Sequence, residues 1–311
     1  MAAKIIGLGV SSIDEFVIVE EFCKPDDKIW IKNFARQCGG VVANFCVGVA
    51  RMGVKSGFMG SAGEDPNGHE ILQNFKTHDM DVEHFFLKKE TKTPVNIIVV
   101  DSHGSRQILQ DPYMEKNVLK ADEIITEYVA KADIFHTDAV NIESARKCMK
   151  IAKEAGKKVS FDLERHVAVY GLDAIKDLLE MTNILLPNRM GALELTKETD
   201  VRKAAKKLLS FGPDIVLITM GEDGSILVTA KEEHWIPIYK VENVVDTTGA
   251  GDSFNSAFIS CIHKGMAPME AADFASAVAA LSVTKVGAQS MPVWKEAKEF
   301  IASKPERGSV G

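Results

Sequence analysis

An acid at each end of a run of small residues, Asp246-Thr247-Thr248-Gly249-Ala250-Gly251-Asp252, gives this 311-residue chain its densest chemical signal. Small residues ahead of an acid let the backbone turn tightly and bring several N–H groups close to a ligand. The following Ser253-Phe254-Asn255-Ser256-Ala257-Phe258-Ile259 has helical apolar spacing, so the loop feeds a helix N-terminus. The unpaired donors and positive partial charge there favour a phosphate or a developing oxyanion. A carboxylate in that concavity repels phosphate, which makes Asp252 a poor binder but a good base. It can take the proton of a hydroxyl that attacks phosphorus, while N–H groups at Gly249, Ala250 and Gly251 stabilise the transferred group. The same residues would also make an ordinary capped helix start, with Asp252 satisfying first-turn donors.

The elements that must position this loop read mainly as alternating strands and helices. Residues 4–10 form an apolar run ended by Ser11-Ser12, a buried first strand. Asp14 follows, at the edge where an open α/β sheet presents ligand groups. Phe16-Val17-Ile18-Val19 and Ile29-Trp30-Ile31 read as short antiparallel strands, and 93–101 and 106–109 as strands across the turn Ser102-His103-Gly104-Ser105. These break the alternation and predict a small separate sheet. Gly39-Gly40 opens a helix ending at Gly53 with Asn44 on its first turns, and a second helix runs from Gly68 to Thr77. Helices are expected over 121–130, 141–155, near 171–180 and near 200–210, with strands at 134–136, 158–162, 183–186 and 215–219. Short apolar strands between amphipathic helices imply a largely parallel sheet covered on both faces. Asp138 and Asp162 follow two of these strands on the ligand edge. Residues 225–241 read as antiparallel strands at the far edge, and 274–283 as a small-residue helix able to approach a neighbour or a flat ring closely.

Composition narrows the class. With 46% hydrophobic residues the chain can bury one large core with a small appendage, a single domain over 1–311. A net charge of -7 argues against a nucleic-acid or anionic-membrane partner. The five cysteines are scattered without metal spacing, which reads as thiols in a reducing compartment. With no apolar run of bilayer length and no signal-peptide pattern, the expectation is a cytoplasmic protein.

The D-T-x-G-A-G-D string followed by Ser253-Phe254 resembles the C-terminal signature of the ribokinase-like (PfkB) family of carbohydrate and nucleoside kinases. Residues 39–68, through Gly60-Ser61-Ala62-Gly63-Glu64-Asp65-Pro66-Asn67-Gly68, resemble its N-terminal signature. The resemblance implies a three-layer α/β/α core with a β-sheet lid, here formed by 15–33 and 92–110, and an ATP-dependent kinase using Mg2+. The lid is also a candidate homodimer surface. For this chain the resemblance implies a sugar or nucleoside acceptor contacted by Asp14, Gly39, Gly40, Asn44, Arg106 and Asp138. The mixed set Asn96, Ser102, His103 and Arg106 in the lid leans towards a simple sugar. ATP is expected near Asn188, Thr219, Gly221, Gly224, Ser276 and Gly287. Asp246, Thr248, Ser282 and Gly287 fall where ribokinase-type members hold a monovalent cation, K+.

Two departures stand out. Ribokinase-type members carry Gly-Gly-Lys-Gly-Ala-Asn where this chain has Gly39-Gly40-Val41-Val42-Ala43-Asn44, so ribose is not singled out. The family's N-x-x-E motif begins at Asn188, but its acid is replaced by Gly191, leaving Asp162 and Glu194 as the candidates near Mg2+. That loss keeps open a non-catalytic sugar- or nucleotide-binding regulator. A dinucleotide oxidoreductase is disfavoured, because Gly7-x-Gly9 is not continued as G-x-G-x-x-G.

Overall fold

The computed structural model describes residues 3–103 and 105–309. Gly104, expected in the turn of the small sheet, lies outside the described residues, as do the two residues at each end. The first part of the chain contains β1 (Ile5–Leu8), β2 (Ser12–Ile18), β3 (Asn33–Gly39), α1 (Val41–Arg51), β4 (Ser56–Gly63), α2 (Pro66–Thr77), β5 (Phe85–Lys88), β6 (Val95–Val100) and β7 (Arg106–Leu109). Next come α3 (Thr126–Lys131), β8 (Ile134–Thr137), α4 (Ile142–Glu154), β9 (Lys158–Phe161), α5 (Arg165–Ala168), α6 (Leu172–Met181), β10 (Ile184–Leu185), α7 (Arg189–Thr196), α8 (Val201–Leu209) and β11 (Ile215–Thr219). The hairpin β12 (Ser225–Thr229) and β13 (Glu233–Ile236) is followed by α9 (Ala250–His263), α10 (Pro268–Ser282) and α11 (Trp294–Ala302).

Nine strands form one sheet in the order β13-β12-β11-β10-β9-β8-β1-β4-β5. All its pairings are parallel except those of β12 and β13, the antiparallel edge expected from 225–241. Successive residues of a strand point into opposite layers. Ile5 and Leu217 pack with Phe45, Phe258 and Ala275 from α1, α9 and α10, whereas Ile6, Val216 and Ile218 pack with Met149, Leu178 and Leu208 from α4, α6 and α8. The outcome is the α/β/α core. Among the described residues no helix is long and apolar enough to cross a membrane.

The strand order fixes where a ligand crevice belongs. The chain fills the β4 and β5 side of β1 and later returns to β8 on the other side, so the order reverses at β1. Crevices outside the carboxyl ends of strands at such reversals are the usual ligand sites of open α/β sheets. β1 leads towards Asp14 and β8 towards Asp138. Val42 is fully buried over β1, and a Cβ at Gly7 or Gly9 would stand 2.5 or 2.6 Å from it. Close helix packing therefore accounts for that glycine pair.

The second sheet has the order β3-β2-β6-β7. Its expected composition needs correction. Ile29-Trp30-Ile31 is irregular chain with Trp30 92% exposed, and β2 pairs instead with the polar run Asn33–Gly39. The sheet comprises 12–18, 33–39, 95–100 and 106–109: the expected segment 92–110 holds its last two strands, the expected 15–33 misses β3, and Asp14 stands inside β2. β3 is an edge strand set by backbone pairing to one neighbour, so its sequence carries little apolar signal. Phe34, Ile97 and Leu109 are exposed, and the strand registers put them on one face. The helix expected over 121–130 is broken as well: Ile124 is extended and buried, dividing a 3-10 turn at Ala121–Glu123 from α3.

Candidate active site

α9 starts at Gly249, whose φ of 73° is left-handed and where a Cβ would stand 2.5 Å from Ala288 Cα. Only glycine fits this contact between two loops. Asp246 ties the same loops together, its carboxylate accepting from Thr248 N at 2.9 Å and Gly287 N at 2.8 Å. Beside Gly251, by contrast, a Cβ would meet nothing within 4 Å. Open space therefore adjoins the first turn of α9, which Ala250 begins and in which Asp252 stands.

Asn44 Nδ2 donates to Asp252 Oδ2 at 2.8 Å across 208 residues of sequence. Behind it, Gln289 Nε2 donates to Asn44 Oδ1 at 3.1 Å, and Asn74 Nδ2 donates to Gln289 Oε1 at 2.8 Å. Three amides in series thus aim their donors at one carboxylate, each polarising the next. A cleft of about 600 Å³, lined by Gln37, Asn74, Val286 and Gln289, lies behind this relay. Gln289 and Asn74 were not among the sequence candidates. The string Gly287-Ala288-Gln289-Ser290 marked the first, and nothing in the sequence marked the second.

The carboxylates of the crevice share a second trait: among the described residues none pairs with a lysine or arginine, and only Asp138 feels a nearby basic group, His166. Asp14 is buried, and its Oδ1 accepts from Ser12 Oγ and Asn96 Nδ2, both at 2.9 Å. Its carboxylate lies over Gly39, where a Cβ would collide with it, and Gly40 follows as the N-cap residue of α1. Burial raises the Asp14 pKa against those two bonds. Burial likewise pushes Asp138, which accepts from Val140 N at 3.2 Å, up to about 6. Asp162 accepts from Asn255 Nδ2 at 2.9 Å and is raised by burial, then by the charges of Glu164, Asp252 and Asp138. Asp252 is pushed up to about 7, mainly by burial; the Asn44 bond opposes this, and the charges of Glu164, Asp138 and Asp14 add to it. Asp252 thus has the pKa of a base working near neutrality.

Arg106 reaches from β7 to this loop, its guanidinium donating to Thr248 Oγ1 at 3.3 Å. Ser102 and His103 do not follow it. Ser102 is held at the far tip of the sheet by Glu20 O, six residues or about 20 Å along the strand from Asn96. Asn96 and Arg106 each reach the crevice through a separate contact, to Asp14 and to Thr248.

The chain matches the pfkB family carbohydrate kinase pattern over residues 3–296. It belongs to the pfkB family. This pfkB member is 29% identical over 313 residues to the ribokinase of Staphylococcus aureus, covering 96% of this chain and 100% of that one. It is 26% identical over 304 residues to the nucleoside kinase of Methanocaldococcus jannaschii, covering 95% and 96%. The structure of Arabidopsis thaliana ribokinase complexed with ribose and ATP is similar with a TM-score of 0.82 at 27% identity, covering 97% of this chain and 99% of that one. Membership supports ATP-dependent kinase activity on a sugar or nucleoside in general.

On the nucleotide side of this pfkB member several expected side chains are already committed. Asn188 Oδ1 caps α7 by accepting from Gly191 N at 2.8 Å, and Asn188 bridges to Thr219 at the end of β11. Gly221 opens a short 3-10 turn, while Gly224 holds the hairpin by accepting from Met220 N at 2.8 Å. Ser276 Oγ donates to Pro237 O at 3.0 Å, so that hydroxyl secures α10. Ser282 Oγ donates to Ala279 O at 2.8 Å within its own helix. Glu194 forms ion pairs with Arg165 at 3.5 Å and Lys197 at 2.6 Å, which turn its carboxylate towards surface cations.

Proposed function

We propose that this protein transfers the γ-phosphoryl group of ATP to a primary hydroxyl of a sugar such as ribose or fructose. The single observation that carries the reading is Asp252 itself, held by Asn44 at 2.8 Å and raised to about 7 beside the open first turn of α9. The hydroxyl oxygen forms a bond to the γ-phosphorus, and the bond from that phosphorus to the bridging oxygen breaks. ADP leaves with the electron pair, and Asp252 takes the hydroxyl proton. N–H groups of Gly249 and Gly251 would face the charge on the transferred group, whereas that of Ala250 already donates to Thr247 O at 3.3 Å.

Asp14, Gly40, Asn44 and Asn96 would hold the acceptor, with Asp138 at the neighbouring strand end. The small sheet would act as a lid, and Arg106 against Thr248 supports closure that keeps water from competing for the phosphoryl group. Magnesium bound with the nucleotide would neutralise part of the phosphate charge. Among the described residues no three metal-ligating side chains cluster, which suits an ion held chiefly by nucleotide oxygens and water.

The test is a coupled ADP-release assay with Mg2+, with and without K+, across neutral sugars, sugar acids, sugar phosphates and nucleosides. One acceptor class should turn over, and Asp252→Asn should lower kcat by about 10²- to 10⁴-fold while calorimetry finds ATP binding retained. Comparable turnover in the variant removes Asp252 as the base. Silence of the unmodified protein with every acceptor removes the kinase reading.

A further inference from the structure

The missing family acid has a steric cause. A Cβ at Gly191 would collide with the carbonyl oxygen of Leu163 and stand 3.2 Å from the carbonyl carbon of Glu164. The first turn of α7 therefore lies directly against the segment leading into α5, and no side chain fits at 191 unless that segment moves. The segment brings its own acid. Glu164 occupies the N-cap position of α5 yet makes no capping hydrogen bond with its side chain, and its carboxylate meets His166 Nδ1 at 3.2 Å. With Asn188 and Met190 of the displaced motif it lines a cleft of about 500 Å³. It is also near enough for its charge to act on Asp162, Asp138 and Asp252.

A second observation points to an occupant. Asn255 is only 5% exposed; its Nδ2 donates to Asp162, and its Oδ1 is buried without a partner. A buried acceptor left unpaired is destabilising. Water on a hydrated cation between these acids would supply the missing donor and offset the carboxylate repulsion.

Resting on the kinase reading, we infer that Glu164, together with Asp162, orients the hydrated divalent cation that accompanies the nucleotide, in the role the family gives to the acid at 191. Glu194 takes no part, because Arg165 and Lys197 hold it.

The experiment reads binding without turnover: Mn2+ is titrated into the full-length protein with ADP present, and free Mn2+ is followed by electron paramagnetic resonance. Glu164→Gln should weaken Mn2+ by about tenfold or more, with ADP affinity in EDTA unchanged. Glu164→Asp should recover part of the loss, and Glu194→Gln should behave as the unmodified protein. Unchanged Mn2+ affinity in Glu164→Gln, or an equal loss in Glu194→Gln, overturns the assignment. An unmodified protein that binds no ADP under either condition defeats the kinase reading, a result separate from either of these.

Discussion

On the surface, Asp177 lies against Arg146, and Glu233 sits between Arg202 at 2.6 Å and Lys206 at 3.1 Å. Hydrogen bonds from those cations hold both carboxyl groups below their ordinary pKa. In the crevice, Asp14, Asp138, Asp162 and Asp252 have no Lys or Arg ion pair among the described residues, and burial raises all four. The same residue type thus meets two opposite environments. Surface acids are neutralised by the protein itself, whereas crevice acids keep a proton affinity that only a ligand can use. Such a site lowers the stability of the empty protein in exchange for readiness, a common tension at functional sites.

The pH profile tests this contrast most severely. A base with a pKa near 7 must be deprotonated to act, so kcat/KM should fall tenfold per pH unit below that value. At pH 5 it should lie about a hundredfold below its plateau. A flat profile from pH 5 to 8 would remove Asp252 from the role.

Gln289→Leu interrupts the amide relay without touching Asp252. The expected loss is about tenfold in kcat, of the order of one hydrogen bond between neutral groups. The inflection should also move upward, because Asn44 freed from Gln289 opposes the raised pKa less well. A loss of turnover with the inflection fixed would make Gln289 a packing residue only.

The smallest effects are in stability, measured by urea unfolding at pH 4 and pH 7.5. Asp138 has a folded pKa of about 6 against an ordinary 3.8, so the folded state binds more protons between those values. The resulting deficit builds as pH rises through that window. Asp138→Asn should therefore stabilise by about 1 kcal/mol at pH 7.5, after the weakened bond from Val140 is allowed for, and have little effect at pH 4. Asp177 is lowered, so its contribution is present above its unfolded pKa and fades as pH falls. Being largely solvated, Asp177→Asn should cost less than about 1 kcal/mol at pH 7.5. Equal signs for the two substitutions would erase the contrast.

Regular periodicity made the core legible from residues alone. The loop before α9, the antiparallel edge and the parallel strands β1, β8, β9, β10 and β11 carry local patterns and stand where those patterns put them, whereas β4, rich in glycine and serine, and the short β5 carry none. β3 was misread because its pairing with β2 is not written in its own side chains, while Ile29-Trp30-Ile31 has an apolar pattern with no strand to join. Asp252 was legible because it ends a distinctive string. Asn74 was not, since an amide has no periodic signature and its contact with Gln289 spans 215 residues. Glu164 was hidden for another reason: its relevance follows from the close approach of two backbone segments at Gly191, a distance that sequence does not encode.

The strand made first sits in the middle of the sheet, between β4 and the much later β8, and Asn44 waits 208 residues for Asp252. On the ribosome, β1 therefore emerges with one edge open until β8 is made, an interval in which cover by a chaperone or by the growing chain itself has value. On the proposed kinase reading the acceptor wall is synthesised early and the base near the end, so a chain stopped before α9 would hold half a crevice and be inert towards ATP rather than wasteful of it.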